Sequence, residues 1–213
     1  MVLLLILLSF VIASLLCIVV KQRPIIEALS VAVVAFAFIG SVRVAVDVAS
    51  SGVYAPFPLF SVDALGAIVM LIIGGVGLVV TVYSVAYLRR ETAKGIIGLA
   101  RTRQFFTLLN LFLAAMFLAV TTSNPIVTWI GIEATTLSTA FLISFYNKPS
   151  AIEGAWKYLM INSVGLLLGF FGTLLYLTSL NTAPEHTFIT WGSLLAQATS
   201  LDPFIAKMAF VFV

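Results

Sequence analysis

Apolar residues run along this chain in long unbroken blocks, separated by short patches where charges, prolines and turn-forming residues collect. No stretch shows the strict polar–apolar alternation of a half-buried strand. A block of about 20 apolar residues is what a helix needs to cross the ~30 Å hydrocarbon layer of a bilayer, and the pattern predicts six such spans. Met1 to Val20 forms the first, stopped by Lys21, Gln22, Arg23 and Pro24. With no basic residue ahead of it and no small-residue cleavage site, it reads as a membrane helix and not as a cleaved leader. The second span runs from about Ile25 to Val46, the third from Val62 to about Leu88, and the fourth from Gln104 to Thr122. The fifth, Ser123 to Tyr146, and the sixth, ending near Leu180, are joined by a short polar turn. Ser50 to Pro58, with Gly52, Pro56 and Pro58, reads as a loop. The segment 183–203 mixes polar and apolar residues around Trp191 and is expected to lie in the membrane interface. A last apolar run, from Phe204 to Val213 with Lys207 inside it, is too short to cross.

Composition fixes the class. Of the 213 residues, 62% are hydrophobic and 9% charged, and the mean hydropathy is +1.20, outside the range of a soluble domain. The expected fold is an all-α polytopic membrane protein, read as one transmembrane domain over 1–213, with the helix pair 123–178 carrying the chemistry. The net charge of +3 comes from basic residues gathered in connections, so it reports topology and not nucleic-acid binding. Lys21, Arg23, Arg89, Arg90, Lys94, Arg101, Arg103, Lys148 and Lys157 fall on one side of a six-span alternation. That asymmetry predicts a cytoplasmic basic side, including the Arg89–Arg103 loop, and an external N-terminus, in a plasma (inner) membrane. Arg43 and Asp47 have the spacing of an interfacial ion pair, and Ser61 or Asp63 that of a cap on the third helix. A single cysteine, Cys17, leaves no multi-cysteine metal or iron–sulfur set, and His186 reads as a solvated loop residue. The expectation is a chain with no cofactor and no metal of its own.

Glu133 is the residue that needs a reason. It lies near the middle of the fifth span among apolar neighbours, where an ionised acid costs at least ~2.5 kcal/mol. A structural acid, protonated or paired across helices, is one reading; a carboxylate that handles protons or ions is the other, and its neighbours favour the second. Thr135, Thr136, Ser138 and Thr139 follow it, and Gly131, Thr135 and Thr139 form a small-residue row suited to close helix approach. On the next helix come Lys157, then Asn162 and Ser163 within two turns, then Gly165 and Gly169 as a GxxxG. The expected roles are proton transfer for Glu133 and charge modulation for Lys157. Thr136, Ser138, Thr139, Asn162 and Ser163 are polar-path candidates.

The stretch WIGIEATTLSTAFLISFYNKPSAIEGAWKYLMINSVG resembles the fifth and sixth helices of antiporter-like membrane subunits. These occur in respiratory complex I, in Mrp cation/proton antiporters and in group 4 hydrogenases, and the wording EATTLSTAFL followed by AWKYL most resembles hydrogenase-4 component F. The resemblance implies that Glu133 matches the key glutamate of that family and Lys157 a charged position on the following helix. It implies a proton-translocating subunit of a redox-driven complex, moving protons or in the alternative sodium ions. Partners would be the bilayer, other membrane subunits and peripheral redox subunits, and not nucleic acid. A Mrp-type antiporter subunit and a purely structural membrane subunit are the alternatives. Val164 and Gly165 are followed by Leu166, where some quinone-reductase members place an acid, which favours the hydrogenase branch. The family's seventh helix is interrupted and bears a lysine; Lys207 sits too early in its run to be equated with it, so the chain is expected to be an N-terminal portion of a larger bundle. Burial makes a carboxylate hold its proton, and a nearby lysine charge loosens it. Moving such a lysine would therefore drive proton uptake and release.

Overall fold

Among the described residues, six helices long and apolar enough to cross a membrane stand in chain order, as the blocks predict. In the computed structural model, which describes residues 1–178, 189–196 and 201–212, they are α1 (Val2–Val19), α2 (Arg23–Ser51), α3 (Ala64–Ala93), α4 (Leu99–Thr121), α5 (Pro125–Ile143) and α6 (Pro149–Thr178). A two-stranded hairpin, β1 (Tyr54–Phe57) and β2 (Phe60–Val62), separates α2 from α3. Two short helices follow, α7 (Trp191–Ala196) and α8 (Pro203–Phe212). The chain is an all-α polytopic membrane protein with one small patch of sheet.

The helix ends are set by local chemistry. Pro24 occupies the first turn of α2, and Gly52 closes that helix at φ 82°, a backbone that suits glycine. Asp63 caps α3, its Oδ1 accepting from the Gly66 amide at 2.7 Å. Asn124 caps α5 by accepting from the Ile126 and Val127 amides at 2.9 and 3.1 Å, with Pro125 in the first turn. A 3₁₀ turn, Ser144–Tyr146, ends that helix, and Asn147 takes the left-handed conformation (φ 54°) that reverses the chain into α6.

Three boundaries differ from the sequence expectation. α2 runs on to Ser51, so Arg43 and Asp47 sit inside a helix, paired at 3.4 Å. The expected loop from Ser50 to Pro58 contains β1, because the backbone there pairs with β2, and β2 bridges at Phe60 to Thr122. Arg89 and Arg90 belong to the last turns of α3 and Arg103 to the first turns of α4, which leaves a connection of only a few residues around Gly95 (φ 71°). Arginine is a good helix former whose long stem keeps its charge in the interface, so charges do not stop a helix where the hydrocarbon does. The readings of His186 and of the sixth span's end near Leu180 fall outside the described residues.

The core lies among α1 to α4. Leu3, Phe10, Ile26, Met70, Phe106 and Phe117 are fully buried there, with the Phe10 and Phe117 rings stacked at 5.6 Å. Gly74 sits against the Phe38 backbone and Gly131 against the Ala119 backbone, so α2 meets α3, and α4 meets α5, at nearly backbone contact. α6 packs on α5 from outside, and α8 packs on α6, where the Phe171 and Phe212 rings meet at 5.2 Å.

Candidate functional site

Glu133 is the ninth of the 19 residues of α5 and is half-buried, facing α6. The Ser163 hydroxyl, at mid-height of α6, donates to its Oε1 at 2.9 Å. A recess of about 230 Å³ opens beside the carboxylate, walled by Trp129, Ile130, Leu166, Leu167 and Phe170. Trp129 sets one end of it: the indole Nε1–H donates to Thr173 Oγ1 at 2.8 Å, and the ring lies over Gly169, where an added Cβ would come within 2.6 Å of it. Of the GxxxG pair, then, Gly169 takes an aromatic ring while Gly165 faces open space. The result is one acid with one hydroxyl donor, beside a recess with apolar walls that is open on one side and roomy enough for several waters. A carboxylate so placed can accept, hold and pass on a proton to whatever enters that space.

The remaining sequence-derived residues are placed as follows. Lys157 lies on an exposed face of α6, ion-paired to Glu153 one turn before it, with its side chain 70% exposed. Six residues separate it from Ser163, roughly 9 Å along the helix and about 120° around it, so Lys157 and Glu133 are not brought together here. The i, i+4 spacing of Glu153 and Lys157 is the sequence signal for that pair. Asn162 is exposed and donates to the Tyr158 carbonyl. Thr136 is buried beside the acid, while Ser138 and Thr139 lie more than about 100° around α5 from it. All three hydroxyls donate to carbonyls of their own helix. Ser163 is the one path candidate whose hydroxyl reaches Glu133.

A second carboxylate carries more of the structure than its sequence context suggests. Glu27, 3% exposed, accepts from Arg23 Nε at 2.8 Å and from Arg89 Nη2 and Nε at 2.7 and 2.9 Å. It thereby fastens the start of α2 to the end of α3. Arg23 four residues away is readable in the sequence; Arg89, 62 residues on, is not. A third polar group lies between α1, α2 and α4, where Asn110 Nδ2 donates to Ser30 Oγ at 3.0 Å and the Cys17 thiol approaches Ser30.

Against known proteins, the model for the N-terminus of chain 5 of NADH-ubiquinone oxidoreductase (complex I) matches residues 56–95, from β1 to the end of α3. The chain is 29% identical over 160 residues to a hydrogenase-4 component F homolog of Methylacidiphilum infernorum, covering 74% of this chain and 34% of that one. It is 38% identical over 125 residues to NADH-quinone oxidoreductase subunit L of Mycobacterium tuberculosis (54% and 18%). It is 36% identical over 104 residues to Na(+)/H(+) antiporter subunit A1 of Staphylococcus aureus (48% and 12%). The chain is similar to each of these membrane subunits over part of its length. It spans about a third or less of the length of each. The fold agrees over 99% of the chain, at a TM-score of 0.78 and 17% identity, with 43% of a chain of the membrane-bound sulfane sulfur reductase, an archaeal respiratory membrane complex. Within this shared fold α5 and α6 stand in the arrangement that joins Glu133 to Ser163.

Proposed function

We propose that this chain is part of a proton-translocating, antiporter-like membrane subunit of a redox-driven complex, of hydrogenase or NADH:quinone oxidoreductase type. The observation that carries the reading is Glu133: a lone carboxylate at mid-membrane, hydrogen-bonded across to Ser163 and open to a small recess. Similarity to components named for hydrogenase, quinone oxidoreductase and antiporter assemblies supports the setting. With one cysteine in the chain, we assign the redox chemistry to partner subunits, and to this subunit the movement of protons. Glu133 is the group that exchanges the proton. A neighbouring charge that approaches or withdraws would couple that exchange to a conformational change. Lys157 supplies that charge once released from Glu153.

The proposed placement is the inner membrane, N-terminus outside, with the basic ends of the helices in the cytoplasm. The alternation of the six spans supports it: Glu27 with Arg89, and Tyr87 with Tyr146, join helix ends on one side, while the hairpin joins Ser123 on the other.

The test is Glu133→Gln in the full complex, measuring protons moved per electron in sealed vesicles alongside subunit content. Gln keeps the shape and can still accept from Ser163, so assembly is expected to survive while the proton-to-electron ratio falls. A normal ratio makes Glu133 a structural acid and overturns the proposal. The likeness to an antiporter subunit supports a second reading, sodium/proton exchange without redox partners. Proton flux driven by an imposed sodium gradient, with no electron donor present, would select it.

A further inference from the structure

We infer that the outer groove between α1 and α4 is a binding site for one anionic phospholipid. The groove, about 350 Å³, is lined by Ile18 of α1 and by Ala100, Arg103, Gln104, Thr107 and Leu108 of α4. Ile18, in the last turn of the membrane-spanning α1, is half exposed, so the groove opens on the outer face of the described bundle. Its walls are mostly apolar and its charge sits at the basic end of the helices, the layout of an acyl chain beneath a headgroup.

The charges at its mouth select the headgroup. Arg103 donates through Nε to the Cys17 carbonyl at 3.2 Å, which fixes the plane of the guanidinium and leaves both terminal nitrogens unassigned. Arg23, Arg43 and Arg89 each pair with a carboxylate, whereas Arg103 pairs with none among the described residues. Arg101 leans on the same rim, donating to Gln104 Oε1 at 3.1 Å, and also has no carboxylate partner there. Lys21, exposed, follows Ile18 by three residues. Two further cations, Arg101 and Lys21, beside the fixed Arg103 guanidinium call for a phosphate with net negative charge, because a guanidinium edge grips phosphate through two parallel hydrogen bonds. A zwitterionic headgroup would bring its own cation into that cluster. Basic pockets between helices at the interface are where anionic lipid headgroups are held.

The experiment uses the full chain in nanodiscs of phosphatidylcholine with a minor share of phosphatidylglycerol, and counts the lipids retained after gentle extraction by native mass spectrometry. The wild type is expected to keep one phosphatidylglycerol. R103Q should weaken that retention by about tenfold, and K148Q, an exposed cation away from the groove, should not. L108W, which fills the groove and leaves every charge, should also expel the lipid; with R103K it carries the test should R103Q not accumulate. Unchanged retention in R103Q and L108W, or equal loss in K148Q, overturns the inference. So does full displacement by inorganic phosphate, which would mean a site for the free anion, or a dimer that forms in place of lipid binding, which would mean a second copy occupies the groove.

Discussion

Replacing Glu27 with glutamine tests whether the clamp at the basic ends of α2 and α3 holds the bundle together. The carboxylate is 3% exposed and accepts three charge-assisted hydrogen bonds, one from Arg23 and two from Arg89. Glutamine keeps the volume but removes the charge and turns an NH₂ donor toward one of two arginines that can only donate. Breaking a buried ion pair from one side costs about 3–5 kcal/mol, because the surviving charge is left unpaired. Here the survivors are partly wet: Arg89 is 60% exposed and Arg23 22%. Both recover some hydration, which brings the expected loss for Glu27→Gln to about 2–3 kcal/mol. At about 2–4 °C per kcal/mol for a chain of this length, the thermal midpoint should drop by roughly 4–12 °C. The assay is loss of helical circular dichroism on heating in nanodiscs. Arg89→Gln should cost less, since Glu27 keeps Arg23, and the double variant should fall short of the sum of the singles. A wild-type midpoint for Glu27→Gln, or additive singles, would refute the clamp.

Gly131→Leu should weaken α4–α5 packing by about 1–3 kcal/mol or more, because its Cβ would meet the Ala119 backbone at 3.0 Å, while Gly165→Ala, facing open space, should be silent in the same melt. Asp63→Ala removes the cap on α3 and should cost about 0.5–2 kcal/mol in a urea series followed by circular dichroism. Gly169→Ala pushes on the Trp129 ring that walls the Glu133 recess, so Trp fluorescence should shift with little change in midpoint. In intact cells, on a Cys17→Ser background, K94C and G52C should label from opposite sides of the membrane; labelling from the same side would contradict the six-span alternation.

How much of this could be read from the sequence depends on the range of each interaction. The six spans and Glu133 were legible because membrane crossing needs a continuous apolar block, and an acid inside one stands out. The cap at Asp63 was legible too, as it acts within three residues. The hairpin was not: strands of four and three residues, with Pro56 in the first and Pro58 in the turn, carry little signal, and Phe60 and Leu59 are tied to Thr122 and Ser123, about 60 positions on. Nor was the fate of Glu27, whose second arginine arrives from another helix. Ser163 was on view as a polar residue at mid-span, but only the pairing of α5 with α6 selects it from its neighbours.

α5 also carries more hydroxyl-to-carbonyl bonds along its own backbone than α4 or α6. Thr128, Thr136, Ser138 and Thr139 each donate to the carbonyl four residues back, and Thr135 to the one three back. Each such carbonyl is shared between its own helical bond and a hydroxyl, which loosens the ladder and favours bending. Along the same helix, Asn124 and Ser123 pin the first turn to Ile189, Pro58 and Leu59. The segment that carries Glu133 is thus a compliant rod anchored at both ends, at the other by Tyr146 with Tyr87. Strain between the two anchors is spent as curvature near the carboxylate instead of being passed on as rigid displacement.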